Sequence, residues 1–178
     1  NALRQTPDVI LIGEIRDREI MEHAISFAET GHLCVSTLHS NNANQAIERI
    51  LNFFPIESHK QVLANLSFNL RGIISQRLVE NTRGSRTAIV EIMLNEGLIR
   101  DHIHQGNIGS IKEVMEQNNS RGMQTFDQHL IVLYQQGTIT ADTALREADS
   151  MSNVRLQIKQ YENERKFSNA ASAVSDSI

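Results

Sequence analysis

A carboxylate stands directly behind the strongest strand signal in the chain. Asp8-Val9-Ile10-Leu11-Ile12-Gly13 is a continuous apolar run closed by glycine, and Glu14 follows at once. Such a run suits a strand buried on both faces of a parallel sheet. In open α/β sheets, ligands sit beyond the carboxyl ends of the strands, so Glu14 is expected on the ligand-bearing rim. A carboxylate there has two chemical uses: it orients a water for attack on a phosphate, or it helps hold a metal ion. The alternative is a surface pair with Arg16 or Arg18.

Two histidines bracket a second strand, Leu33-Cys34-Val35-Ser36-Thr37-Leu38. His32 lies just before it and His39 just after it, roughly 20 Å apart in an extended chain, which is too far for a shared metal. Only His39 falls on the rim that holds Glu14. Each is equally readable as a hydrogen-bonded structural histidine. His102-Ile103-His104 is an H-x-H pair whose side chains diverge on a helix, with no carboxylate or cysteine cluster beside it. No metal site is expected. Cys34, the single cysteine, is expected to be a small core residue rather than a nucleophile.

The elements that position these residues follow from periodicity. Asp17 to Thr30 has helical spacing and ends at Gly31. Strand, helix and second strand imply a crossover in an α/β sheet. Ala43, Ala46, Ile47, Ile50, Leu51 and Phe54 predict an amphipathic helix stopped by Pro55. A further helix is predicted over 57–74. A hairpin follows, 74–79 with 87–93, around the polar turn 80–85. Beyond Glu96 short helices are predicted: 98–104, 108–117, 125–136 opened by the capping-box spacing Thr125-x-x-Gln128, and Thr140 to Ala148. The reading divides the chain into an α/β part, 1–95, a helical part, 96–165, and a disordered tail, 166–178, the last being small, polar and poor in large apolar groups.

Composition narrows the class. The chain has 178 residues and a formal net charge of −4, which argues against a broadly basic nucleic-acid binder. One cysteine fits a reducing compartment. No apolar run reaches the ~18 residues of a membrane span, and no signal peptide is evident. None of the nine glycines is followed by lysine, so no G-x-x-x-x-G-K-[ST] phosphate loop is present.

The ordered string Pro7-Asp8-Val9-Ile10-Leu11-Ile12-Gly13-Glu14-Ile15-Arg16-Asp17, Ala28-Glu29-Thr30-Gly31-His32-Leu33 and Ser36-Thr37-Leu38-His39 resembles the secretion and type IV pilus ATPase superfamily. There G-E-[IM]-R-D is an atypical Walker B and T-G-H…T-L-H a histidine box. Leu98-Ile99-Arg100-Asp101-His102-Ile103 and Gly122-Met123-Gln124-Thr125-Phe126-Asp127 resemble elements of the twitching-motility retraction branch, the PilT/PilU family. Asn52-Phe53-Phe54-Pro55, the stretch 69–79 and the segment after Ser150 look closer to PilU than to PilT.

The resemblance implies a RecA-like P-loop NTPase core, here without its Walker A strand-loop-helix, followed by a small helical C-terminal region. It implies a homo-hexameric motor that uses ATP and Mg²⁺ to retract type IV pili. It implies a position in the cytoplasm, peripheral to the inner membrane at the pilus base, beside a PilT-like ATPase and a PilC-like platform protein. By resemblance Glu14 matches the catalytic glutamate and His39 the histidine-box residue near the γ-phosphate. Gly13, Arg16, His32 and Thr37 fall on cofactor-binding positions. Gly97, Asp101, His102 and His104 depart from the retraction motif. Without a phosphate loop the chain by itself is expected neither to bind ATP tightly nor to hydrolyse it, and to be a fragment in which Asn1 is an internal residue. A non-catalytic regulatory module of the same fold is the alternative.

Overall fold

The computed structural model describes residues 7–175. Strand β1 (Val9–Glu14) is followed by helix α1 (Arg18–Glu29) and strand β2 (Leu33–Thr37). The two strands pair in parallel, as the crossover requires. Asp17 caps α1 by accepting the Ile20 amide, and Thr30 closes it. Helix α2 (Ala43–Asn52) starts where Asn42 accepts the Gln45 amide. Its apolar face, Ala43, Ala46, Ile47 and Ile50, is buried.

A 3₁₀ turn (Ile56–Ser58) leads into α3 (His59–Asn69). The helix predicted to reach residue 74 stops earlier, because strand β3 (Gly72–Glu80) begins there and pairs with β4 (Arg86–Leu94). A Cβ at Gly72 would lie 2.7 Å from the Met93 carbonyl, so the close strand approach requires glycine at this position. Buried Asn95 fixes the same junction, donating from Nδ2 to the carbonyls of Leu66, Ser67 and Leu70 at the end of α3.

Helices α4 (Leu98–Gln105), α5 (Ile111–Gln117), α6 (Phe126–Gln135), α7 (Ala141–Glu147) and α8 (Met151–Ser175) complete the described chain. The expected capping box is formed, with Thr125 and Gln128 exchanging side-chain and backbone bonds. Gly137, at φ 71°, takes the left-handed position after α6.

The chain clusters into two compact units, and they do not divide near Asn95. Among the described residues, one comprises 7–75 with 92–123, the other 76–91 with 124–175, so the hairpin contributes to both. The core of the first unit joins Ile15, Met21, Ala24 and Ile47 with Ile99, Ile103, Ile111 and Met115. The core of the second gathers Val79, Ile89, Phe126, Leu130, Val154 and Ile158. There His129 Nδ1 accepts the Val90 amide, and burial lowers the imidazole's pKa.

The disordered tail expected over 166–178 is corrected up to residue 175, where α8 continues. Val154 and Ile158 anchor the start of that helix. The alanines and other small residues beyond it carry no helix breaker, so propagation proceeds from a formed nucleus. Residues 176–178 lie outside the described residues.

Candidate functional site

The site lies in the first unit, where β1 and β2 end side by side. In a regular parallel pair, side chains alternate between faces, and matched residues share a face. Ile10 pairs with Cys34 and Ile12 with Ser36 on the covered face. Val9 pairs with Leu33 and Leu11 with Val35 on the open face, where all four are exposed. Continued alternation would send Glu14 to the covered face beside Ile12.

It does not go there. The register slips between Ile12 and Glu14, so that Glu14, not Gly13, is matched with Thr37. This is a β-bulge, one extra residue on β1. It carries Glu14 onto the open face and allows Ile15 to be buried in the core. Beyond the bulge the Ile15 amide donates to the Thr37 carbonyl at 3.0 Å. The Thr37 hydroxyl donates to the Gly13 carbonyl at 2.6 Å. Leu38 packs against the core, so alternation returns His39 to the face of Thr37 and Glu14.

The carboxylate of Glu14 is approached at both oxygens. Arg16 Nε donates to Oε2 at 2.6 Å, and His39 Nε2 lies 3.0 Å from Oε1. Glu14 is 24% exposed in its side chain, against 74% for Arg16 and 81% for His39. The Arg16 hydrogen bond holds the Glu14 carboxyl below the usual carboxylate range, partial burial opposes it, and the charges of Arg16, His39 and Arg49 add to the lowering. Arg49, on the exposed side of α2, is a neighbour that spacing did not single out.

Gly13, Glu14, Arg16, Thr37 and His39 are thus brought together. His32 is not. It sits at the opposite end of β2, where its Nδ1 lies 3.1 Å from the Phe27 carbonyl and 3.0 Å from the Thr30 hydroxyl, and its ring meets Phe27 edge-on. This ties the end of α1 to the start of β2.

His104 Nδ1 lies 3.2 Å from the Ser67 hydroxyl, which donates to the Ala64 carbonyl, so the ring supplies the proton of that contact. Cys34 is half-buried, and burial raises its thiol pKa, which disfavours the nucleophilic thiolate.

The donor set does not suit Mg²⁺. That ion takes hard oxygen ligands in octahedral array, whereas Glu14 offers one carboxylate already flanked by a guanidinium and an imidazole. Among the described residues no group of three or more His, Cys, Asp or Glu is placed to hold a metal ion.

The bulge had a sequence signal. Ile10 and Ile12 are two apart, but the next core residue is Ile15, three on. That change of parity marks an inserted residue in a strand with a period of two.

Comparison with known proteins places the chain in a family. Residues 1–149 match the family described as Type II/IV secretion system protein. The chain is 54% identical over 160 residues to the Type IV pilus ATPase PilU of Pseudomonas aeruginosa, covering 89% of this chain and 42% of that protein. It is 38% identical over 153 residues to the Type IV pilus retractation ATPase PilT of the same organism, covering 86% and 44%. Among solved structures, the pilus retraction motor PilT with bound ADP superposes with a TM-score of 0.74 at 41% identity, over 84% of this chain and 42% of that one. The Legionella pneumophila ATPase DotB gives 0.69 at 25% identity, over 80% and 39%. The chain therefore spans about two-fifths of the length of these relatives. The mixed α/β fold and the closer likeness to PilU than to PilT both stand. With its Glu14 rim and its parallel β1–β2 pair, the chain belongs to the type II/IV secretion system protein family.

Proposed function

We propose that this stretch carries the water-positioning glutamate of a motor ATPase that drives type IV pilus retraction. One observation carries the reading: the bulge delivers Glu14, ionised, to the carboxyl end of a parallel strand pair, beside His39. An ionised carboxylate on that rim orients a water toward a phosphoryl group, and an adjacent imidazole N–H interacts with the phosphate oxygens. Gly13 and Arg16 border the nucleotide. His32 contributes indirectly, through the α1–β2 junction.

The whole motor is read as a homo-hexamer at the cytoplasmic face of the inner membrane. It uses ATP with Mg²⁺ and works beside a PilT-like ATPase and a PilC-like platform protein. Among the described residues no helix is long and apolar enough to cross a membrane. As motif-bearing segments rather than as compact units, residues 1–95 are read as the Walker B and histidine-box part of the RecA-like core and 96–165 as the retraction-type helical region. The sequence has no phosphate loop, so this stretch by itself is read as inactive.

Glu14→Gln in the full-length protein tests the reading. The neutral amide keeps the shape and loses the base. Turnover is expected to fall by ~10²-fold or more, with nucleotide affinity retained. Turnover within a few-fold of wild type would sink the water-positioning role. A wild-type protein without turnover that still supports retraction by a partner ATPase would favour a regulatory module. Both Glu14 oxygens are engaged here, which is the observation on that side.

A further inference from the structure

The catalytic reading explains why a glutamate stands on the rim, but not what keeps it there. A bulge places an unpaired backbone segment where regular pairing would continue, so something must stabilise the slipped register. Glycine at a bulge is often required because it adopts positive φ. Gly13 is not among the positive-φ glycines, and a Cβ built on it meets nothing within 4 Å. The backbone conformation is therefore open to other residues, and glycine does not by itself account for the bulge.

The remaining contacts converge on Thr37. Its hydroxyl donates to the carbonyl of Gly13, the inserted residue, at 2.6 Å. Its own carbonyl accepts the Ile15 amide at 3.0 Å. One residue of β2 thus grips β1 on both sides of Glu14. We infer that Thr37 is a positioning residue, whose hydroxyl latches the Gly13 bulge and so keeps Glu14 on the open face beside His39. This assigns Thr37 a task within the protein rather than a contact with nucleotide. As a contribution to turnover it rests on the function proposed above; as a statement about the bulge it does not.

The test compares Thr37→Val and Thr37→Ser in the full-length protein. Valine keeps the branched shape and removes the donor, whereas serine keeps the donor. Thr37→Val is expected to lower kcat about tenfold or more, with KM for ATP unchanged, since a misplaced catalytic group costs the chemical step. Thr37→Ser is expected to restore kcat to within a few-fold of wild type. Hydrogen exchange across residues 13–15 supplies a readout independent of catalysis. Exchange is expected to speed up in Thr37→Val and to stay near wild type in Thr37→Ser. Thr37→Ala is read in the same way should the valine variant not fold.

A Thr37→Val protein with unchanged exchange and unchanged kcat overturns the latch. So does a rise in KM at constant kcat, which would place the hydroxyl on the nucleotide. If Glu14→Gln proves active while exchange still follows the hydroxyl, the catalytic reading fails and the latch stands.

Discussion

The chemistry of Glu14 depends on its neighbours Arg16 and His39. Because Arg16 lowers its pKa, the carboxylate stays charged through the range where an ordinary glutamate, near pH 4.3, begins to protonate. The sign follows from linkage: the stabilisation from a depressed carboxylate is present above its unfolded pKa and is lost as pH falls through its folded value. Replacing Arg16 by glutamine removes the leading cause, so the pKa of Glu14 rises. In the full-length ATPase the acid limb of kcat/KM is then expected to move to higher pH. Arg16 is mostly exposed, so the displacement should shrink in high salt. A pH–rate profile at two ionic strengths measures both effects, and an unmoved or lowered acid limb would show that Arg16 does not govern this carboxylate.

At the scale of elements, most of the first unit was legible because its signals are local. Asp17 and Asn42 cap the starts of α1 and α2, and the periodicity of α2 matches its buried face. Thr125 and Gln128 form the expected capping box. Two features were not legible in the same way. The end of α3 depends on Gly72 meeting the Met93 carbonyl, a contact between residues twenty-one positions apart. The second compact unit depends on the hairpin joining residues far along the chain, as in the Arg77–Asp149 ion pair at 2.9 Å and the Arg77 guanidinium 4.0 Å above the Phe126 ring. The rim residues were readable as a group, but the parity slip that aims Glu14 emerged from the strand register. Buried Asp127 is the long-range feature with the clearest energetic consequence. Its two oxygens accept the Asp149 and Ser150 amides, at 2.7 and 2.9 Å, where the chain turns into α8. Asp127→Ala leaves those amides without their charged acceptor, and a loss of about 2–4 kcal/mol is expected. The urea midpoint reads this directly; a midpoint shift equivalent to less than about 0.5 kcal/mol, the size of an ordinary surface substitution, would show that the turn is held by other contacts.

At the scale of the whole molecule, the unusual feature is the open face of the β1–β2 pair. Parallel sheets are ordinarily covered on both faces. Here Val9, Leu11, Leu33 and Val35 line the uncovered one, with Leu11 77% exposed. Fully burying a Val or Leu side chain contributes about 1.5–3 kcal/mol, and these four are roughly half to three-quarters exposed, so covering them is worth on the order of 5 kcal/mol. A second copy of the chain would have to offset about 4–15 kcal/mol of lost translational and rotational freedom. That comparison leaves little or no net driving force, so the chain is expected to stay largely monomeric at micromolar concentration, with any association strengthened by sulfate, which favours apolar burial. It also predicts that the 178-residue chain binds an apolar fluorescent dye. Leu11→Lys combined with Val35→Lys is expected to lower dye fluorescence by about half, because other exposed apolar residues such as Phe68 and Ile74 remain. The same pair should leave the unfolding midpoint within about 0.5 kcal/mol, as expected for substitutions on an exposed face. Sedimentation in sulfate and dye titration decide the matter together. Undiminished fluorescence in the double variant, or a dimer that persists at nanomolar concentration with both lysines present, would mean that this face is not the one that seeks cover.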